Sequence, residues 1–154
     1  MIKTIFDVLN SKKLTISVAE SITGGALSKK LISLAGSSSF FKGSLVAYSD
    51  ESKIEILKIQ KEKILKHSAV SQQIAVLMAS NVKNLFKSDI GFSTTGNAGP
   101  GLNDEKSSVG ELYISFHFKN KTKTKFFKLE GNRDANINKA VKVSLEFISE
   151  NLDK

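Results

Sequence analysis

Three polar clusters in this chain hold residue types from which a hydrolytic or anion-binding site could be built. The first is Glu20-Ser21-Ile22-Thr23-Gly24-Gly25. Glycines opening a helix leave backbone N–H groups unpaired, with the positive end of the helix dipole behind them. Ser21 and Thr23 add hydroxyl donors, so a phosphate would fit. No lysine follows the glycines, so the pattern is not a P-loop. The same residues could equally cap a helix and let it pack closely.

The second cluster is Gly36-Ser37-Ser38-Ser39, followed by Tyr48 and Lys53. The chain has no cysteine, and neither His67 nor His117 has a conventional serine–histidine spacing. A nucleophile must therefore be a serine or threonine served by another base. Lysine can be that base when its amine is neutral, which burial promotes. A helix N-terminus would disfavour the charge on Lys53, whereas Asp50 and Glu51 would favour it. The sequence leaves that sign open, and it also allows loop serines with a solvated lysine.

The third cluster is Ser93-Thr94-Thr95-Gly96-Asn97-Ala98-Gly99-Pro100-Gly101. A strand ending in hydroxyls and running into glycines can bring its backbone close to a ligand, or can simply turn. Arg133 stands apart because it is the one arginine among 23 basic residues. Its guanidinium offers the two-point contact with phosphate or carboxylate that lysine cannot copy. His67, in a loop before a helix cap, could be a base or a structural residue.

Hydrophobic periodicity supplies the elements that must position these clusters. Residues 2–11 read as an amphipathic helix on Ile2, Ile5, Phe6 and Leu9. Leu14–Ala19 reads as a strand running into the first cluster. Leu27, Leu31 and Leu34 mark the next helix. A second strand ends near Tyr48, and Ser49 or Asp50 caps the helix of Lys53, Ile54 and Leu57. Ser71 caps a longer helix reaching Phe86, and Ile90–Thr95 is a buried strand. Leu112–Phe118 alternates as a half-buried strand, turns near Asn120 and pairs with Thr122–Leu129. A last helix carries Ile137 through Leu152. The expected fold is a single α/β domain over residues 1–154: three layers, α/β/α, around a mixed, mostly parallel sheet of about five strands.

Composition bounds the function. The chain has 154 residues and a formal net charge of +8, without cysteine or tryptophan. Disulfides, thiolate metal sites and cysteine nucleophiles are excluded. No apolar run approaches the roughly 18 residues of a membrane span, and the N-terminus lacks the apolar core of a signal peptide. A soluble cytoplasmic protein without a metal centre is expected. The lysine excess reads mainly as solvated surface. The basic hairpin Lys119–Lys128 could contact nucleic acid, but Phe126 and Phe127 are adjacent, so one should face the core.

Taken together, five segments resemble one family in order and separation. They are Ala19–Gly25, Ala35–Ser38, Val46–Lys53, His67–Ser71 and Thr95–Gly101. They look like the CinA C-terminal domain family, the nicotinamide-nucleotide amidases. The resemblance implies hydrolysis of the carboxamide of nicotinamide mononucleotide to nicotinate mononucleotide and ammonia, without a cofactor. It puts the nucleophile on Ser38, its partner base on Lys53 and the assisting tyrosine on Tyr48. It gives supporting roles to Thr95 and Arg133. Substrate contacts are expected from Ser21, Thr23, Gly24, Gly36, Thr95 and Arg133, with the phosphate held by Arg133 or by the Ser21/Thr23/Gly24 helix start. Oxyanion donors are expected around Gly36–Ser38. Longer family members carry a further N-terminal domain, whose activity is not expected here. Ile22, Asn97, Ser107 and Asn132 depart from the usual pattern without removing a proposed catalytic group.

One geometric demand follows. Ser38 precedes the strand that Tyr48 ends, so the two can meet only if residues 38–42 fold back, or if a second subunit completes the site. Fold-back within a homodimer is the expectation.

Overall fold

A computed structural model describes residues 1–152. Its elements run α1 (Ile2–Ser11), β1 (Ile16–Glu20), α2 (Ala26–Leu31), β2 (Phe41–Val46), α3 (Asp50–Glu55), α4 (Lys61–His67) and α5 (Gln72–Phe86). They continue with β3 (Ile90–Gly96), β4 (Glu111–Phe118), β5 (Lys121–Lys128) and α6 (Arg133–Leu152). The sheet order is β2-β1-β3-β4-β5. β1 is parallel to both β2 and β3, and β4 is antiparallel to β3 and β5. Four of the five strands thus point one way, as the mostly parallel expectation requires.

Two apolar clusters line the sheet. Ile5, Leu9, Leu27, Leu31, Ala140 and Ile148 bring α1, α2 and α6 against one face. Leu57, Ile64, Ile74, Met78 and Val82 bring the segment after α3, α4 and α5 against the other. β1 and β3 are buried along their whole lengths, which is why they read as continuous apolar or small-residue runs.

The α5 face of the sheet is built from small residues. Ser17, Ser93 and Thr95 donate their hydroxyls to the carbonyls of Val82, Ala75 and Ala69, at 3.1, 2.6 and 2.7 Å. A Cβ on Gly91 would lie 1.9 Å from the Ala79 carbonyl oxygen, so that position admits only glycine. Two of the hydroxyls in the third polar cluster are therefore packing devices: Ser93 seats α5 and Thr95 seats the turn that leads into it.

The connections create the place for a site. From β1 the chain passes to β2 on one side of the sheet, and it later reaches β3 on β1's other side. A crevice opens beyond the carboxyl ends of β1 and β3, where open α/β sheets bind ligands. The polar clusters Glu20–Gly25 and Thr95–Gly101 leave from those two ends.

Two elements differ from the sequence reading. α2 stops at Leu31, and Leu34 lies in the turn beyond it. α4 carries His67 as its last residue, so this histidine is helical rather than in a loop. With Ile64 the one buried residue of α4, its periodic signal is too thin to read. The Ser49 and Ser71 caps are present, accepting from Ser52 and Ile74 N–H. Phe127 packs on the core, while Phe126 lies exposed against Tyr113. Among the described residues no helix is long and apolar enough to cross a membrane.

Candidate active site

Ser21 is the first residue past β1, held there by its N–H to the Thr94 carbonyl at 2.9 Å. Side chains alternate along β1, so Ser21 falls on the same face as Ser17 and Ala19. That face receives Lys53. The Lys53 side chain is 1% exposed, and its Nζ donates to the Ala47 carbonyl at 2.8 Å and faces Ser21 Oγ at 3.4 Å.

Burial pulls the Lys53 ammonium down from 10.5 to about 8, against the opposing attraction of Asp50. The sign that the sequence left open is thus decided by desolvation, which outweighs the nearby carboxylate. A buried amine with a lowered pKa facing a buried hydroxyl is a base–nucleophile pair in form.

Glu20 sets the path of the chain after Ser21. Its fully buried carboxylate accepts from the N–H groups of Gly25, Leu27 and Ser28 at 2.9, 3.1 and 2.8 Å, and from the Ser28 hydroxyl. The helix dipole makes this an apt place for an anion. The internal carboxylate already occupies it. The N–H groups of Gly25, Leu27 and Ser28, which a phosphate at the expected Ser21/Thr23/Gly24 helix start would share, thus already serve Glu20. Thr23 is buried, with its hydroxyl paired to that of Thr94 at 2.8 Å. Gly24 is exposed, and its N–H donates to the Ser21 carbonyl.

Arg133, at the start of α6, closes the opposite wall. Its Nη1 donates to the Gly99 carbonyl at 2.8 Å and its Nη2 to the Tyr48 hydroxyl at 2.9 Å. The guanidinium thus ties the end of β2 to the Gly96–Gly101 loop. Buried Asn136 braces the same loop, donating to the carbonyls of Ala98 and Gly131 at 3.0 and 2.8 Å. Asn97 holds the loop from inside through Ser107, Ser108 and Asn103. Ser21, Ile22, Tyr48, Gly96, Asn97 and Arg133 line a recess of about 40 Å³. That space admits a small polar group and leaves the rest of a ligand in the open mouth.

The site gathers Ser21, Tyr48, Lys53 and Arg133, with Thr95 buried behind it. The Thr95 hydroxyl is spent on Ala69, which leaves its oxygen free to accept.

Ser38 and Gly36 are elsewhere. Ser38 lies exposed in a 3-10 turn (Ser37–Ser39) that precedes β2, with Gly36 at φ 88° just before it. Neighbouring Ser39 donates to Asn10 of α1, at the opposite end of the sheet from Lys53. β2 runs six residues between them, a separation of roughly 20 Å at about 3.3 Å per residue. The expected fold-back of residues 38–42 does not occur, because Phe41 already pairs with Ile16, with a register shift at Lys42 before Gly43 pairs with Ser17. The oxyanion donors expected around Gly36–Ser38 are displaced with it.

Sequence reasoning quoted Glu20 but gave it no role, and it missed Asn136. A carboxylate between a buried strand and a glycine-rich helix start was the available signal for Glu20. For Asn136 it was a carboxamide one helical turn before the buried Ala140.

A model of the CinA C-terminal domain matches residues 1–152. A CinA-like protein of Flavobacterium psychrophilum is 42% identical over 141 residues, covering 92% of this chain and 34% of that protein. A putative competence-damage inducible protein of Clostridium botulinum is 40% identical over 151 residues, covering 98% and 37%. The chain thus spans about a third of the length of these curated relatives. The crystal structure of the competence damage-inducible protein A from Klebsiella pneumoniae superposes with a TM-score of 0.95 at 30% identity, covering 99% of this chain and 94% of that one. The competence or damage-inducible protein from Enterobacter asburiae superposes with a TM-score of 0.94 at 30% identity, covering 98% and 95%.

Proposed function

The chain belongs to the CinA C-terminal domain family, and from that premise we propose that it hydrolyses the carboxamide of nicotinamide mononucleotide, with Ser21 as nucleophile and Lys53 as base. The observation that carries this reading is the buried Lys53 Nζ, 3.4 Å from Ser21 Oγ. With its pKa near 8, about one Lys53 in ten is neutral at pH 7, against roughly one in three thousand at 10.5. The 3.4 Å separation is long for a hydrogen bond, and such pairs tighten when substrate is present.

In the proposed reaction neutral Lys53 takes the hydroxyl proton as Ser21 Oγ attacks the carboxamide carbon. The ammonium then returns that proton to the departing nitrogen, and ammonia leaves an acyl-Ser21 ester. Lys53 next deprotonates a water that attacks the ester, releasing the carboxylate and restoring the serine. The oxyanion needs aimed donors, each typically contributing about 2.7–4 kcal/mol. The backbone N–H groups of Ile22 and Thr23 follow the nucleophile into the turn and take no partner among the described residues, so they are assigned this role. The phosphate would be met at the open mouth by the Tyr48 hydroxyl, which accepts from Arg133 and keeps its own proton to donate, and by the Arg133 N–H groups that Gly99 and Tyr48 leave free.

Ser38 keeps a catalytic role only in a site shared between two copies of the chain. Exposed Tyr48 and Leu102 flank the recess and suit such a homodimer.

A substrate panel tests the activity: the mononucleotide, its riboside, free nicotinamide and the dinucleotide, followed by ammonia release. The mononucleotide should be preferred. Tight mononucleotide binding without ammonia release would instead mark a binding protein on the same fold.

A further inference from the structure

A second concavity, of about 520 Å³, lies at the other end of the sheet from Ser21. It falls within the range of roughly 300–1,000 Å³ typical of small-molecule pockets. Its floor is apolar: Leu14 before β1, Ile90 at the start of β3, Phe116 and Phe118 on β4, and Leu152 on α6. Ile90 is fully buried and Phe116 nearly so. Four lysines share the rim: Lys12, Lys119, Lys121 and Lys123.

The register explains why this cleft is apolar below and cationic above. Phe116 pairs with Lys123 and Phe118 with Lys121, so each aromatic shares a face with a lysine across the hairpin. One step further along, Ile114 pairs with Lys125. There α6 covers the sheet, and Lys125 meets Glu150 at 3.9 Å and the rings of Phe127 and Phe147. The rim lysines have no such acid: among the described residues none of the four forms an ion pair. Lys119 rests over the Phe118 ring and Lys12 donates to the Leu152 carbonyl. Among the described residues, the carboxylates of Asp89 and Glu150 near this end are engaged by Thr15 and Lys125, and neither lines the cleft.

We infer that this cleft is a binding site for a free amphipathic anion, its apolar chain on the half-buried Leu14 and Phe118 above Ile90 and Phe116, and its carboxylate or phosphate head among the rim lysines. Lysine stems cover apolar surface while their ammonium groups stay in water, so the rim can follow a head group without losing its own hydration. The site is separate from Ser21 and Lys53 and does not depend on the amidase reading.

The test is calorimetric titration of the intact chain with decanoate below its micellar range. Butyrate and decyltrimethylammonium are run in parallel, together with vesicles of mixed neutral and anionic phospholipid. Saturable one-site binding of decanoate is expected, at least tenfold tighter than that of either comparison ligand. Octanoate should bind roughly tenfold more weakly than decanoate, because two methylenes leave the cleft. Lys121→Glu/Lys123→Glu, on exposed positions of the edge strand, should weaken decanoate at least fivefold and leave ammonia release unchanged. Equal affinity for both head-group signs, indifference to charge reversal, no binding, or binding to vesicles alone would each overturn the inference.

Discussion

Arg133 Nη2 lies 2.9 Å from the Tyr48 hydroxyl while Nη1 holds the Gly99 carbonyl at 2.8 Å. One side chain therefore spans from the end of β2 to the loop after β3, across the mouth of the recess. A planar fork can hold both points at once; an ammonium is a single point. This accounts for the one arginine in a chain that otherwise uses lysine.

Replacing Arg133 by lysine keeps the charge and loses the span. Under the proposed function, KM for the mononucleotide should rise about tenfold, the worth of one charge-assisted bond at roughly 1.4 kcal/mol. The riboside, without a phosphate, should change much less. Steady-state kinetics on both substrates measures the split.

Lys53 predicts two pH profiles. The active base is the neutral amine, so kcat/KM should rise tenfold per pH unit below the lowered pKa and level off above about 8.

Stability follows from the same shift. The unfolded chain holds this proton up to 10.5 and the folded one only to about 8, so the unfolded state binds more protons between those values. Wild-type stability relative to Lys53→Met should accordingly rise with pH across that window, by roughly 3 kcal/mol in total. Denaturant melts of both proteins at pH 7 and pH 11 measure the difference.

Gly91→Ala places a methyl 1.9 Å from the Ala79 carbonyl oxygen. α5 must lift from the sheet, at a cost of about 3 kcal/mol. Urea denaturation reads this directly, and Lys53 loses none of its own contacts.

The layers, the strand count and the caps were legible because β1, β3 and α5 bury periodic or continuous apolar runs. The roles within the site were less so. Ser21 and Ser38 each stand within three residues of a glycine near a strand, and that pattern does not distinguish them. What separates them is the parallel pairing of β2 with β1, which puts Ser38 before one end of β2 and Lys53 beyond the other. Glu20 misled in the opposite direction. A glycine-rich helix start advertises an anion site, but the anion there is the preceding residue of the chain. The pKa of Lys53 is likewise a tertiary property, since its sign depends on burial that Asp50 alone does not reveal.

The central claim is that Ser21, and not Ser38, is the residue Lys53 activates. Ammonia release from the mononucleotide by Ser21→Ala and Ser38→Ala tests it most directly. The account predicts a loss of at least a thousandfold for Ser21→Ala, with Ser38→Ala within about threefold of wild type. The reverse pattern, with activity regained on mixing Ser38→Ala and Lys53→Ala chains, would contradict it and assign the chemistry to a site shared between subunits.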